Sequence, residues 1–246
     1  MFLKQFRGCF MRVIVVKKEA IMFAVCLVAI ALSGVYLVRT QVIDVIAMPA
    51  SRKIIMIDAG HGGVDSGAKV GKINEKTINL AIAEKLQTYL EIGDAYVLMT
   101  RIDDKALSNS KKNDMYKRKI IANTSGADIF VSIHQNINRS SYPSGAQVYY
   151  FGSSPKSRLL AECIQQEIKN AGLPSHKTGT LSNTNYYVLR QTVMPSVLVE
   201  CGFLSNANDR WLLQSEEFQG KMAWAIYMGI LKYFESEQMI QVFESS

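Results

Sequence analysis

Apolar positions along this chain change period several times, and the changes outline strands alternating with helices. An unbroken apolar run predicts a strand at 53–58, of the kind covered on both faces in the middle of a sheet. A loop at 59–74 follows, rich in glycine. Ile78, Ile82, Leu86 and Tyr89 then recur at helical spacing and predict a helix over 75–92, with Gly93 as its stop. Further strands are expected at 95–100, 128–133 and 145–151, near 186–190, and at 196–200. Helices are expected at 115–124, 156–171 and 215–235, with polar loops at 102–114 and 174–185. This alternation predicts an α/β fold: a three-layer sandwich with a twisted, mostly parallel or mixed sheet flanked by helices.

The N-terminal part follows a different pattern. Residues 20–38 hold 19 positions without a charge, enough for a helix of roughly 28 Å, close to the hydrocarbon thickness of a bilayer. Lys4, Arg7, Arg12, Lys17 and Lys18 precede it, so the positive-inside rule keeps the N-terminus in the cytoplasm. The expected organisation is a basic cytoplasmic segment (1–19), a transmembrane signal anchor (20–38), a tether (39–51), a catalytic domain (52–235) and a C-terminal tail (236–246). The result is a single-pass membrane protein with an extracytoplasmic domain. A cleaved signal peptide is the alternative, but the apolar run is longer than its usual core and no clear small-x-small site follows.

Composition adds limits. With 48% hydrophobic and 20% charged residues, the 246-residue chain can bury a sizeable core. Of its net charge of +7, residues 1–51 hold +4, six basic groups against two acidic ones. The remaining +3 is too little to suggest a nucleic-acid partner. Four cysteines without a CxxC pair argue against a cysteine zinc site. Cys163 and Cys201 are read as free thiols, with a disulfide as the alternative.

The chemistry gathers where strands end. His61 follows the first strand within Gly-His-Gly-Gly, His134 follows the strand at 128–133, and Glu75 opens the helix between them. Two imidazoles and one carboxylate leave a zinc ion an open position, a pattern of catalytic sites. Taken singly, each has a plainer reading: a polar turn histidine, or a carboxylate favoured by the positive end of a helix. Glu200 ends a third strand, where it could move a proton or merely cap the loop that follows. Cys201, next to it, faces the other way and is read as core. Asn136 and Gly145 are candidate substrate contacts by position, Arg101 a structural tie, and His176 an exposed loop residue.

The chain resembles the zinc-dependent N-acetylmuramoyl-L-alanine amidases, the amidase-3 family of cell-wall hydrolases, over residues 53–234. The resemblance rests on Asp-Ala-Gly-His-Gly-Gly (58–63), Glu75, Met-Thr-Arg (99–101), Ser-Ile-His-Gln-Asn (132–136) and Val-Glu-Cys-Gly-Phe-Leu-Ser-Asn (199–206). It implies one Zn2+ on His61, Glu75 and His134, with Glu200 as the catalytic glutamate. Ala59 stands where the family usually has proline, which alters loop stiffness rather than chemistry.

The implied reaction is hydrolysis, by zinc-bound water, of the amide between N-acetylmuramic acid and L-alanine in peptidoglycan. An anchor followed by one catalytic domain is similar to the CwlD-type sporulation amidases, which implies a role in spore cortex maturation toward muramic-δ-lactam. Without a wall-binding module, a protein activator or placement partner is a further expectation. Two other readings stand beside these: a zinc peptidase or deacetylase acting on another wall bond, and an inactive membrane-tethered binding or scaffold protein.

Overall fold

The computed structural model describes residues 17–46 and 48–244. Contacts divide the chain into a unit up to residue 47 and a second from residue 48 on. In the first unit, helix α1 (Lys18–Ile46) covers the whole expected anchor and continues past it. Ile21, Phe23, Val25, Leu27, Ile30 and Leu32 are exposed on it. Among the described residues no helix is long and apolar enough to cross a membrane, and the side chains of 34–46 lie outside that description. Most of the expected basic segment, residues 1–16, also lies outside the described residues.

The second unit is built on six strands: β1 (Ile54–Ala59), β4 (Tyr96–Met99), β5 (Ile129–Asn136), β6 (Ala146–Tyr150), β7 (Ser175–Ser182) and β8 (Ser196–Phe203). Their order across the sheet is β4-β1-β5-β8-β6-β7. The strands β4, β1, β5 and β8 run parallel; β6 runs antiparallel to β8, and β7 parallel to β6. The mixed sheet agrees with the sequence reading. A two-stranded hairpin, β2 (Lys69–Val70) and β3 (Ile73–Asn74), lies inside the glycine-rich loop.

Strand alternation sorts the side chains between two layers. Ile55 and Ile57 of β1, Val131 and Ile133 of β5, and Val197, Val199 and Cys201 of β8 share one core. Helices α2 (Glu75–Ile92), α4 (Pro155–Asn170) and α7 (Glu216–Glu244) cover it with Ile82, Leu86, Ile164 and Ile230. The intervening Met56, Phe130 and Leu198 face the other side, a smaller core with Ala122 of α3 (Lys111–Thr124) and Val188 and Leu189 of α5 (Tyr187–Gln191). His134 and Glu200 fall in this second set of alternate positions.

Several boundaries differ from the sequence reading. His134 and Glu200 lie inside their strands, which continue to Asn136 and Phe203, rather than at the ends. The expected strand near 186–190 is the short helix α5, and the expected loop at 174–185 contains strand β7. Helix α3 starts at Lys111, and a short helix α6 (Ala207–Leu213) follows β8. The expected tail is a continuation of α7 to Glu244. Cys163 and Cys201 are free, and Cys201 is buried in the larger core.

Candidate metal centre

The structure brings His61, Glu75 and His134 together at the carboxyl edge of the sheet, with one donor atom from each within 4.8 Å of the others. Glu75 sits between the two rings. Its Oε2 is 3.2 Å from His61 Nε2 and its Oε1 is 2.9 Å from His134 Nδ1. The chain around it fixes the carboxylate: the Ala68 N–H donates to Oε2, and the Gln135 N–H and the Asn79 amide donate to Oε1. Burial alone would raise this carboxyl's pKa, but the two imidazoles hold it far below the usual range. Glu75 is therefore an ionised donor at any ordinary pH.

The loop that delivers His61 is under steric constraint. His61 has φ 64°, a left-handed conformation uncommon for a residue with a side chain. A Cβ on Gly60 would enter the His134 ring, and one on Gly67 would collide with Glu75 Oε2 and the His61 ring. Two arginines hold the same loop from below. Arg101 donates to the carbonyls of Ala59, Gly60, Lys76 and Asp103, which makes it the structural tie expected from the sequence. Arg118 donates to the carbonyls of Ala59 and His61, and to Asp58 and Asp114 at 2.6 Å each. Asp58 also accepts from Ser132 and Thr100. Burial works against its charge, yet Arg118 and these hydroxyls hold its carboxyl down at about 2.

Sequence reasoning missed Asp65, whose Oδ2 lies 2.8 Å from His61 Nδ1. That contact turns Nε2 toward Glu75, an outer-sphere arrangement typical of histidines that bind metals. Its place four residues after His61 in a glycine loop was the available signal. Asp65's own carboxyl lies below its ordinary value: burial raises it, but His61, the Gly67 N–H and the charge of Lys111 lower it.

Glu200 is only 6% exposed and belongs to the same cavity of about 350 Å³. Tyr186 approaches its Oε1 at 3.4 Å, while Oε2 is buried with no hydrogen-bond partner among the described residues. Burial pushes its pKa up to about 7; the charge of Glu75 adds to this, and His134 and Tyr186 oppose it. Asn136 also lines the cavity, and its amide donates to Gln147, the cross-strand neighbour of Glu200. Gly145 does not line it: its N–H is taken by Asp209, and a Cβ there would strike the Ser175 and His176 backbone. His176 is on β7 rather than in a loop, with its Nδ1 3.1 Å from the Gln147 amide.

Nitrogen and oxygen donors this close, beside a buried carboxyl that can change charge near neutrality, suit a metal ion and a proton transfer. The Amidase_3 family, described as N-acetylmuramoyl-L-alanine amidase, matches residues 55–232. The germination-specific N-acetylmuramoyl-L-alanine amidase of Bacillus subtilis (strain 168) is 37% identical over 197 residues, 76% of this chain and 82% of that protein. The N-acetylmuramoyl-L-alanine amidase LytC of the same strain is 36% identical over 199 residues, 80% of this chain but 38% of LytC. The solved structure of the CwlD amidase from Clostridioides difficile, in complex with the GerS lipoprotein, aligns with a TM-score of 0.72 at 40% identity. That alignment covers 75% of this chain and 100% of the other.

Proposed function

The chain belongs to the N-acetylmuramoyl-L-alanine amidase family, and from that premise we propose its cofactor, its proton-transfer residue and its setting. The reaction is hydrolysis of the amide between N-acetylmuramic acid and L-alanine in peptidoglycan. The cofactor we assign is one zinc ion, held by His61, Glu75 and His134; two imidazoles and a carboxylate are a donor set that suits it. Zinc there supplies Lewis acidity, polarising the scissile carbonyl and making water easier to deprotonate.

Glu200 is the proton-transfer group. The observation that carries this is its unpartnered, buried Oε2 within the cavity of the three donors. A carboxyl whose pKa burial raises above its ordinary value takes a proton from the attacking water and returns it to the departing L-alanine nitrogen. Tyr186 steadies the other oxygen, and Asp65 keeps the His61 ring turned toward Glu75.

The setting is the outer face of a membrane, with the uncharged run at 20–38 as an uncleaved anchor and the basic residues before it on the cytoplasmic side. Similarity to a germination-specific amidase supports a role in spore cortex maturation toward muramic-δ-lactam. The lipoprotein bound to the Clostridioides difficile relative supports a protein partner for this chain as well. Mass spectrometry of peptidoglycan digested by the full-length, zinc-loaded protein tests the bond cleaved and the cofactor together. Intact muramic acid and new L-alanine amino termini, abolished by chelation and restored by zinc, are expected. Released acetate, or cleavage indifferent to chelation, would refute the reading. Muropeptides of a strain lacking the protein test the setting, where loss of muramic-δ-lactam is expected.

A further inference from the structure

The cavity wall carries one exposed charge that the hydrolysis does not use. Lys111 opens α3 and is exposed, and no hydrogen bond or ion pair engages its ammonium group among the described residues. It lines the 350 Å³ cavity and also an adjoining groove of about 640 Å³. Met115 and Tyr187 are shared between the two in the same way, so cavity and groove form one continuous trough. Lys112 adds a second ammonium group farther along it.

A cut at the muramoyl–L-alanine bond needs room for both products, and the peptide side is the acidic one. The residue after L-alanine in a peptidoglycan stem is joined through its side-chain carboxyl, so its α-carboxylate is either free or amidated. Two residues of extended peptide span about 7 Å. Lys111 lines the cavity that also holds His61, Glu75, His134 and Glu200, so a peptide running from that centre into the groove passes its ammonium group. Met115 and Tyr187 offer the peptide an apolar bed, and an unpaired ammonium on the wall offers its first carboxylate a partner.

We propose that the trough holds the stem peptide and that Lys111 binds the free α-carboxylate of its second residue, setting a preference for stems that are not amidated there. The proposal rests on the amidase reading above. The test uses the full-length protein in detergent with two soluble N-acetylmuramoyl tripeptides, one with D-glutamate and one with D-isoglutamine at the second position. The wild type is expected to favour the glutamate form about three- to tenfold in kcat/KM, mainly through KM, with the preference shrinking at high salt.

K111Q should bring the ratio to about one, K111E should invert it, and K111R should keep it. Lys72→Gln, on the turn between β2 and β3, should leave the ratio as in the wild type. Equal use of both substrates by the wild type, or a preference that survives K111Q and K111E, overturns the role of Lys111 while leaving the amidase reading intact. Failure of the wild type to release an L-alanyl peptide from either substrate overturns both.

Discussion

His134 and Glu200 are in-register partners on the adjacent parallel strands β5 and β8, directed to the side of the sheet that α3 and α5 cover. The backbone ladder between them fixes their spacing without help from a mobile loop. One sits against Glu75, and the other has an oxygen with no protein partner. In the proposed function the pair divides two tasks, holding an ion and moving a proton, across a single interstrand step.

Removing the proton-transfer group should stop the reaction and leave the ion in place. Glu200→Gln is expected to lower peptide release about 10²–10⁴-fold, with zinc content by elemental analysis unchanged. In the wild type the base form of Glu200 is needed, so the rate should rise with pH as this carboxyl ionises, and a cation in the site moves that rise below the value of about 7 that burial sets in its absence. Near-normal turnover by the variant would remove Glu200 from the mechanism.

The same residue should weaken the fold in the metal-free protein. Its pKa rises from an ordinary value near 4.5 to about 7 on burial, so folding disfavours the ionised form. Stability is then whole below about pH 4.5 and is lost as pH climbs to about 7, by about 3 kcal/mol. After chelation, Glu200→Gln should match the wild type at pH 4.5 and melt at a higher temperature at pH 8; identical pH profiles would contradict this.

Asp58 runs the opposite way. Its carboxyl is held at about 2 in the fold, so its contribution is present above about 3.8 and lost as pH falls toward 2, about 2 kcal/mol in all. Asp58→Asn at neutral pH leaves Arg118 with Asp114 as its remaining carboxylate partner and should cost about 2–4 kcal/mol in denaturant unfolding.

Gly67 and Gly71 allow strain and crowding to be told apart. Their φ values are +63° and +59°, but a Cβ meets the donor residues only at Gly67; at Gly71 nothing lies within 4 Å. Alanine at either site should cost about 1–3 kcal/mol of stability. Alanine at Gly67 alone should also weaken zinc binding about 10–100-fold in a chelator competition. Equal zinc affinity in both variants would show that the loop yields to the added methyl group.

The three-layer frame and the donor set were legible because each rests on a local signal. Covered strands read as apolar runs, and His61, Glu75 and His134 each stand at a change of period. What was hidden depends on neighbours distant in the chain. β7 lies at the sheet edge with Gly179 as its one buried position, so its residues read as a polar loop. Tyr187–Gln191 is too short a run for periodicity to separate helix from strand. Arg118 looks like one more cation on a basic helix until the fold sets it against Asp58. Gly145 sits near the cleft in sequence, yet the chain uses it to pass closely over Ser175.

All eight residues of β8 are buried, and Glu200 is one of them. A substitution that shifts this strand to retune the carboxylate would also disturb both hydrophobic layers, so natural drift at the reacting group is confined to side-chain swaps on a stationary backbone. Evolutionary room lies instead on the trough, where Lys111, Lys112 and Tyr116 are exposed and can change without a packing penalty. On the proposed reading, substitutions along the trough retune which stem peptide is accepted without moving the strand that holds Glu200.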